Sequence, residues 1–175
     1  TRLACLQARL AVDNAHENAI AGLFAIDYAA LFEVANPGIA SLGLPMMLGG
    51  TSNHFRTRIL RDLGGWDAWN VTEDADLGIR LARCGLRVET LASRTDEEAP
   101  ITLSALLAQR TRWMKGWMQT AFVHMRDPVA LLLNLRPLRF ITTCAAFVSG
   151  VLSPLLWPFF AFVLVRDLVS GALFT

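Results

Sequence analysis

A chain of 175 residues is long enough for one domain with a substantial core. Its net charge of +1, with no basic cluster interleaved with aromatic residues, excludes the usual footing for a nucleic-acid partner. A hydrophobic fraction of 54% and a mean hydropathy of +0.41 are high for a soluble domain and point to contact with a membrane.

The sequence opens at Thr1 in what reads as mid-domain, without a signal-peptide pattern, so a piece of a longer protein is expected. Leu3 to Leu10 reads as a short, mostly buried strand that includes Cys5. Cys5, Cys84 and Cys144 lack metal-ligand or redox spacing and read as reduced thiols on the cytosolic side. Asn14 is expected to cap a helix running to about Ala35, because Ile20, Leu23, Phe24, Tyr28 and Leu31 recur at helical spacing. Such a stripe faces a core or lies in a membrane interface, and the core reading takes precedence. Asn36-Pro37-Gly38 is expected to end that helix.

Met46 to Thr51 then reads as a strand ending in small residues, where Gly49 and Gly50 would let a backbone or ligand come close. Arg56 to Leu63 reads as a short helix stopped by Gly64-Gly65. Asn70 to Leu77 follows, with the carboxylates Glu73, Asp74 and Asp76 crowded together. Thr72 can cap a helix here, and acids in a first turn oppose the helix dipole favourably. That structural reading stands beside a chemical one. The helix is expected over Glu73 to Cys84, with Gly85 as its terminator. Asn70-Val71-Thr72 also spells a glycosylation sequon, which matters only in a lumenal segment and is set aside.

Arg87 to Ala92 alternates like a strand, and Thr95 to Pro100 reads as a polar loop. Thr102 or Ser104 should cap a helix that continues to about Arg126. On that helix Gln109, Arg112 and Trp113 share a face, since they stand three and four residues apart. An amide, a guanidinium and an indole on one face make a surface for a sugar nucleotide, with forked donors for diphosphate and a flat face for a sugar ring. The alternative is an interfacial helix whose Trp and Arg residues anchor at lipid headgroups, the role expected of Lys115 and Trp117. From Phe140 to Val165 no residue is charged, and Arg139 and Arg166 bracket the run. As a straight helix it would span about 39 Å, enough for a hydrocarbon core of about 30 Å. Pro154 and Pro158 imply a kink, a tilt or a re-entrant path. Arg126, Arg136 and Arg139 assign its N-terminal side to the cytoplasm.

Taken in order, Gly49-Gly50-Thr51, Gly64-Gly65-Trp66, Thr72-Glu73-Asp74 and Gln109-Arg110-Thr111-Arg112-Trp113 resemble the family 2 inverting glycosyltransferases. The likeness is to membrane-embedded synthases similar to cellulose, mannan and poly-N-acetylglucosamine synthases. Thr-Glu-Asp alone is a weak signal. Gln-x-x-Arg-Trp about 35 residues later, followed by a hydrophobic span, is a strong one.

The resemblance implies an α/β architecture: the C-terminal half of a GT-A (Rossmann-like) domain over residues 1–127, with interfacial helices. An amphipathic connector at 128–139, a transmembrane segment at 140–165 and a tail at 166–175 would follow. It implies transfer of a sugar from a nucleotide-sugar donor, such as a UDP-sugar, to a glycan or lipid acceptor at the cytosolic face of the cytoplasmic membrane. Asp74 matches the general base, and Glu73 its supporting neighbour. Gly50 and Thr51 match the acceptor loop, Gln109 and Arg112 the diphosphate contacts, and Trp113 the floor under the acceptor sugar. A divalent metal (Mg or Mn) is implied as well, with its ligands in the family's preceding half. Asp74-Ala75-Asp76 is read as part of the base motif and not as that metal site. Competing readings are an inactive membrane-bound partner and a structural membrane protein. A glycosidase with paired carboxylates is weaker, because it leaves Gln109, Arg112 and Trp113 without a task.

Overall fold

The computed structural model describes residues 2–170, so residues 171–175 of the expected tail lie outside the described residues. The fold is mixed α/β, a small three-stranded sheet surrounded by helices. Its central strand, β1 (Leu3–Val12), pairs antiparallel with β2 (Asn53–Phe55) and parallel with β3 (Arg87–Glu97). Ala4, Cys5, Ala8 and Leu10 are buried, as a strand flanked on both edges requires. Burial pushes the Cys5 thiol up to about 12, which marks it as a packing residue.

Two expectations for the strands are corrected. The polar stretch Thr95 to Glu97 is strand, because Leu10, Ala11 and Val12 of β1 pair with it and satisfy its backbone. Met46 to Thr51 forms no strand. Met46 and Leu48 are buried, but the backbone beyond them bonds to a side chain in place of a strand neighbour. The buried Gln7 amide accepts from Gly49 N–H at 2.9 Å and donates to the Thr51 carbonyl at 3.0 Å.

The long helical segment also differs. Asn18 is its cap, accepting from Ile20 and Ala21 N–H at 3.0 Å each. Asn14 instead exchanges two hydrogen bonds with the backbone of Ala99. Helix α1 (Ala19–Ala29) passes through a π-helical turn (Ala30–Ala35) into α2 (Asn36–Ser41), so Asn36-Pro37-Gly38 does not end it. In an α-helix a proline ring strikes the carbonyl four residues back. Here the wide π turn, closed by Asn36 N–H on the Leu31 carbonyl, opens that spacing just before Pro37. Ala21, Phe24, Tyr28, Phe32, Asn36 and Ala40 are buried, whereas Leu23 and Leu31 of the expected stripe face outward. By length and composition alone, Ala19–Ser41 is also long and apolar enough to cross a membrane.

Helix α3 (Thr57–Asp62) runs into the positive-φ pair Gly64 and Gly65, and α4 (Glu73–Arg83) ends at Gly85 with φ of 71°. Helix α4 is the most enclosed helix: Ala75 through Ile79, Leu81 and Ala82 are buried. Gly78 is required there, since the Met46 carbonyl passes where a Cβ would lie. Leu77 and Leu81 pack with Cys5, Met46, Leu48 and Val88 into one core cluster, and Leu10, Phe24, Tyr28, Phe32 and Ala99 form another.

Helix α5 (Leu103–His124) is capped by Thr102, whose hydroxyl accepts from Ala105 N–H at 3.2 Å. The short α6 (Pro128–Leu135) occupies much of the expected connector. Its Leu131 and Leu135 meet Ala82 of α4 and Phe140. Helix α7 (Pro137–Ser170) then continues as a single helix through Pro154 and Pro158. It presents Ile141, Val148, Leu152, Phe160 and Val165, among others, to the outside. Trp117, expected at lipid headgroups, packs instead on α7 where Gly150 leaves room for the indole.

Candidate active site

The acidic turn is held from behind by α5. Asn70 is buried; its Nδ2 donates to Thr120 Oγ1 at 2.8 Å and its Oδ1 accepts from Thr72 N–H at 3.1 Å. The Thr72 hydroxyl therefore does not cap α4 and lies 3.3 Å from Thr120 Oγ1. Gly116 of α5 lies so close to Thr72 that a Cβ would collide with it. One turn outward, Gln119 donates to the Trp69 carbonyl at 2.8 Å. Both polar atoms of the Asn70 amide are thus committed to holding the turn.

Asp74 is half-buried at the start of α4. Its Oδ1 accepts from Ala75 N–H at 2.7 Å, while its Oδ2 faces Gly50, where a Cβ would stand 3.4 Å away. Burial raises the Asp74 carboxyl above the ordinary aspartate range and the Glu73 charge adds to this, against the Ala75 N–H and Arg112. The structure thus brings Asp74 and Gly50 together, with Glu73 and Arg112 close enough for their charges to register. Thr51 is fixed beside them by Gln7.

Asp76 turns the other way. Its Oδ1 accepts from His124 Nε2 at 2.9 Å and its Oδ2 from Arg80 Nε at 2.8 Å, with the carboxylate almost wholly buried. Burial alone would raise its pKa, but His124 and Arg80 outweigh that and hold it below the ordinary value. His124 Nδ1 faces Arg83 Nη1 at 3.2 Å, so in this network Nε2 carries the proton and Nδ1 accepts. Asp74 and Asp76 diverge, and Asp76 has its oxygens committed. They do not fit a shared divalent metal, and among the described residues no other group of three His, Cys, Asp or Glu side chains converges.

The expected face of α5 is only partly uniform. Arg112 is exposed and has no ion-pair partner among the described residues. Gln109 has its Oε1 buried without a hydrogen-bond partner. Trp113 is half-buried, its ring 6.3 Å from Phe24. Phe24, Tyr28 and Phe32 stack along α1 and the π turn at 4.5 and 5.3 Å, and Phe32 abuts Gly49. A continuous aromatic bed therefore runs from Trp113 to the Gly49-Gly50 loop beside Asp74. Arg110 closes its edge, 5.3 Å over Phe24 and 5.0 Å over Trp113, and donates to Asp27 at 2.8 Å.

Three contributors were not singled out from the sequence. Gln7 fixes the Gly49–Thr51 loop, and its one signal was an amide inside an apolar strand. Tyr28 and Glu97 interact: burial raises the Glu97 carboxyl, and burial together with the Glu97 charge raises the Tyr28 hydroxyl. His124 holds Asp76, and nothing local to it announces a partner so far back in the chain.

Comparison with known proteins places the chain among glycosyl transferases. Residues 1–169 match the model of glycosyl transferase family group 2. The chain is 38% identical over 68 residues to "Probable glycosyltransferase YdaM" of Bacillus subtilis (strain 168), covering 38% of this chain and 16% of that protein. It is 28% identical over 116 residues to "Probable glucomannan 4-beta-mannosyltransferase 6" of Oryza sativa subsp. japonica, covering 66% of this chain and 20% of that protein. The chain thus spans a fifth or less of the length of these curated relatives.

Proposed function

The chain belongs to glycosyl transferase family group 2, and from that premise we propose that it is the base-bearing, acceptor-side part of an inverting, nucleotide-sugar-dependent hexosyltransferase. The carrying observation is the half-buried Asp74, with one oxygen tied to Ala75 N–H and the other facing Gly50. An alcohol is a poor nucleophile, and a carboxylate within hydrogen-bond reach takes its proton as the new bond forms. The raised pKa brings this base closer to neutrality, where proton transfer is most effective. Glu73 supports that shift and orients the loop.

The acceptor sugar lies between Gly50-Thr51 and Trp113, whose indole is steadied by Phe24. Arg112, exposed and without a carboxylate partner, meets the donor's diphosphate and offsets charge on the leaving group. Gln109, on the same face of α5, donates its amide N–H to the same diphosphate. The divalent metal implied by the family would be held by residues of the preceding half of a GT-A domain. The outward apolar face of α7 supports membrane insertion over 140–165, with the catalytic part on the cytosolic side.

Membranes carrying the full-length protein, incubated with a panel of labelled nucleotide-sugars, test this reading. One sugar is expected to enter a glycan or glycolipid. Asp74→Asn should lose nearly all transfer while keeping most donor binding. Retained turnover in that variant would remove Asp74 from the role of base.

A further inference from the structure

Beside the C-terminal half of α4, where Gly78 and Ala82 line a cleft, two arginines converge. Arg87 begins β3 and Arg139 is the third residue of α7. A Cβ placed on Gly43 would lie 3.7 Å from an Nη2 of each guanidinium. The two like charges thus flank one small space and repel each other, yet neither arginine forms an ion pair among the described residues. Both side chains are half-buried in a cleft also lined by Leu44, Pro45 and Leu86. The Arg87 Nε is buried without an acceptor. Guanidinium donors withdrawn from water are ordinarily paired, so this cleft offers donors to an anion.

The ligand that fits two forked donors is a tetrahedral oxyanion. We propose that Arg87 and Arg139 bind a phosphate group, supplied by an anionic phospholipid headgroup. The lipid source is favoured by position. Arg139 stands at the start of the helix read as membrane-inserted, and Leu42 and Leu138, the chain neighbours of Gly43 and Arg139, are 73% and 67% exposed. An acyl chain lying along those side chains would bring its phosphate to the arginines. Only this choice of source rests on the membrane reading of α7; the phosphate site itself does not.

The test is thermal unfolding of the detergent-purified full-length protein, titrated separately with phosphatidylglycerol, phosphatidylcholine and inorganic phosphate. A saturable rise in melting temperature is expected with phosphatidylglycerol and not with phosphatidylcholine. The double variant R87Q/R139Q should need about tenfold or more phosphatidylglycerol for the same shift. If that variant does not fold, Arg139→Gln alone decides the matter by weakening the response. An equal rise with inorganic phosphate would overturn the lipid source while keeping the site. Responses identical in wild type and variant, or absent from both, would overturn the site. Sugar transfer is not read out, so failure here is distinct from failure of the transferase reading.

Discussion

His124 Nε2 and Asp76 Oδ1 meet at 2.9 Å inside the protein, joining the C-terminal end of α5 to the first turns of α4. The helix carrying Gln109, Arg112 and Trp113 is thereby bonded to the helix that carries Asp74. Removing one partner leaves a buried charge or polar group without its complement, and such losses cost about 3–5 kcal/mol. Asp76→Asn and His124→Leu should each lower the melting temperature of the purified protein accordingly. The Asp76 carboxyl is held below its unfolded value. Its contribution is therefore complete above the unfolded value and is lost as pH falls through the folded one. Against wild type, the Asp76→Asn deficit should shrink in acid, as thermal melts across that range will read.

Asp74 behaves oppositely. Its folded pKa lies above the unfolded value, chiefly through burial, so the ionised carboxylate destabilises the fold once pH exceeds the unfolded value. Asp74→Asn is expected to melt higher than wild type at neutral pH while losing transfer, the trade common at catalytic groups. Glu73 raises Asp74 by its charge, so Glu73→Gln should move the acid limb of kcat to lower pH. A limb that stays in place in Glu73→Gln would assign it to another group.

Gln7 makes the Gly49–Thr51 loop what it is. Gln7→Leu keeps the volume and deletes the hydrogen bonds to Gly49 N–H, the Thr51 carbonyl and the Ala8 carbonyl. Leaving buried backbone groups unpaired costs about 1–3 kcal/mol each. The loop lies beside Asp74 and not on the α5 face, so the acceptor KM should rise several-fold while donor binding holds. Steady-state kinetics with each substrate varied in turn separates the two; equal effects on both would point to general unfolding.

Much of this was legible in local sequence. The start of α4 at Glu73, the stop at Gly85 and the Thr102 cap follow from residue chemistry within a few positions, and the structure places them there. What could not be read is what the chain decides at long range. Asn14 and Asn18 offer the same capping side chain, and the choice fell to Asn18 because the Ala99 backbone claims Asn14. Thr72 reads as a cap, but Thr120 takes its hydroxyl. Met46 to Thr51 reads as a strand, but Gln7 supplies the bonds that a neighbouring strand would have given. In the site itself, the motif residues were visible, whereas the aromatic bed beneath them was scattered through an ordinary helical stripe.

The π turn between α1 and α2 has a geometric task. Phe24, Tyr28, Phe32, Asn36 and Ala40 are all buried and follow one another at intervals of four. On a pure α-helix each such interval overshoots a full revolution by about 40°, and the series would wander some 160° around the axis. The slower rotation of the π turn cancels part of that drift and returns Asn36 and Ala40 to the side already occupied by Tyr28. Phase, then, is what this segment controls, and one residue fewer between Ala30 and Ala35 would turn everything after it by about 100°. The pairing of α2 with β3 and the seat of Phe32 under Gly49 hang on that single extra residue.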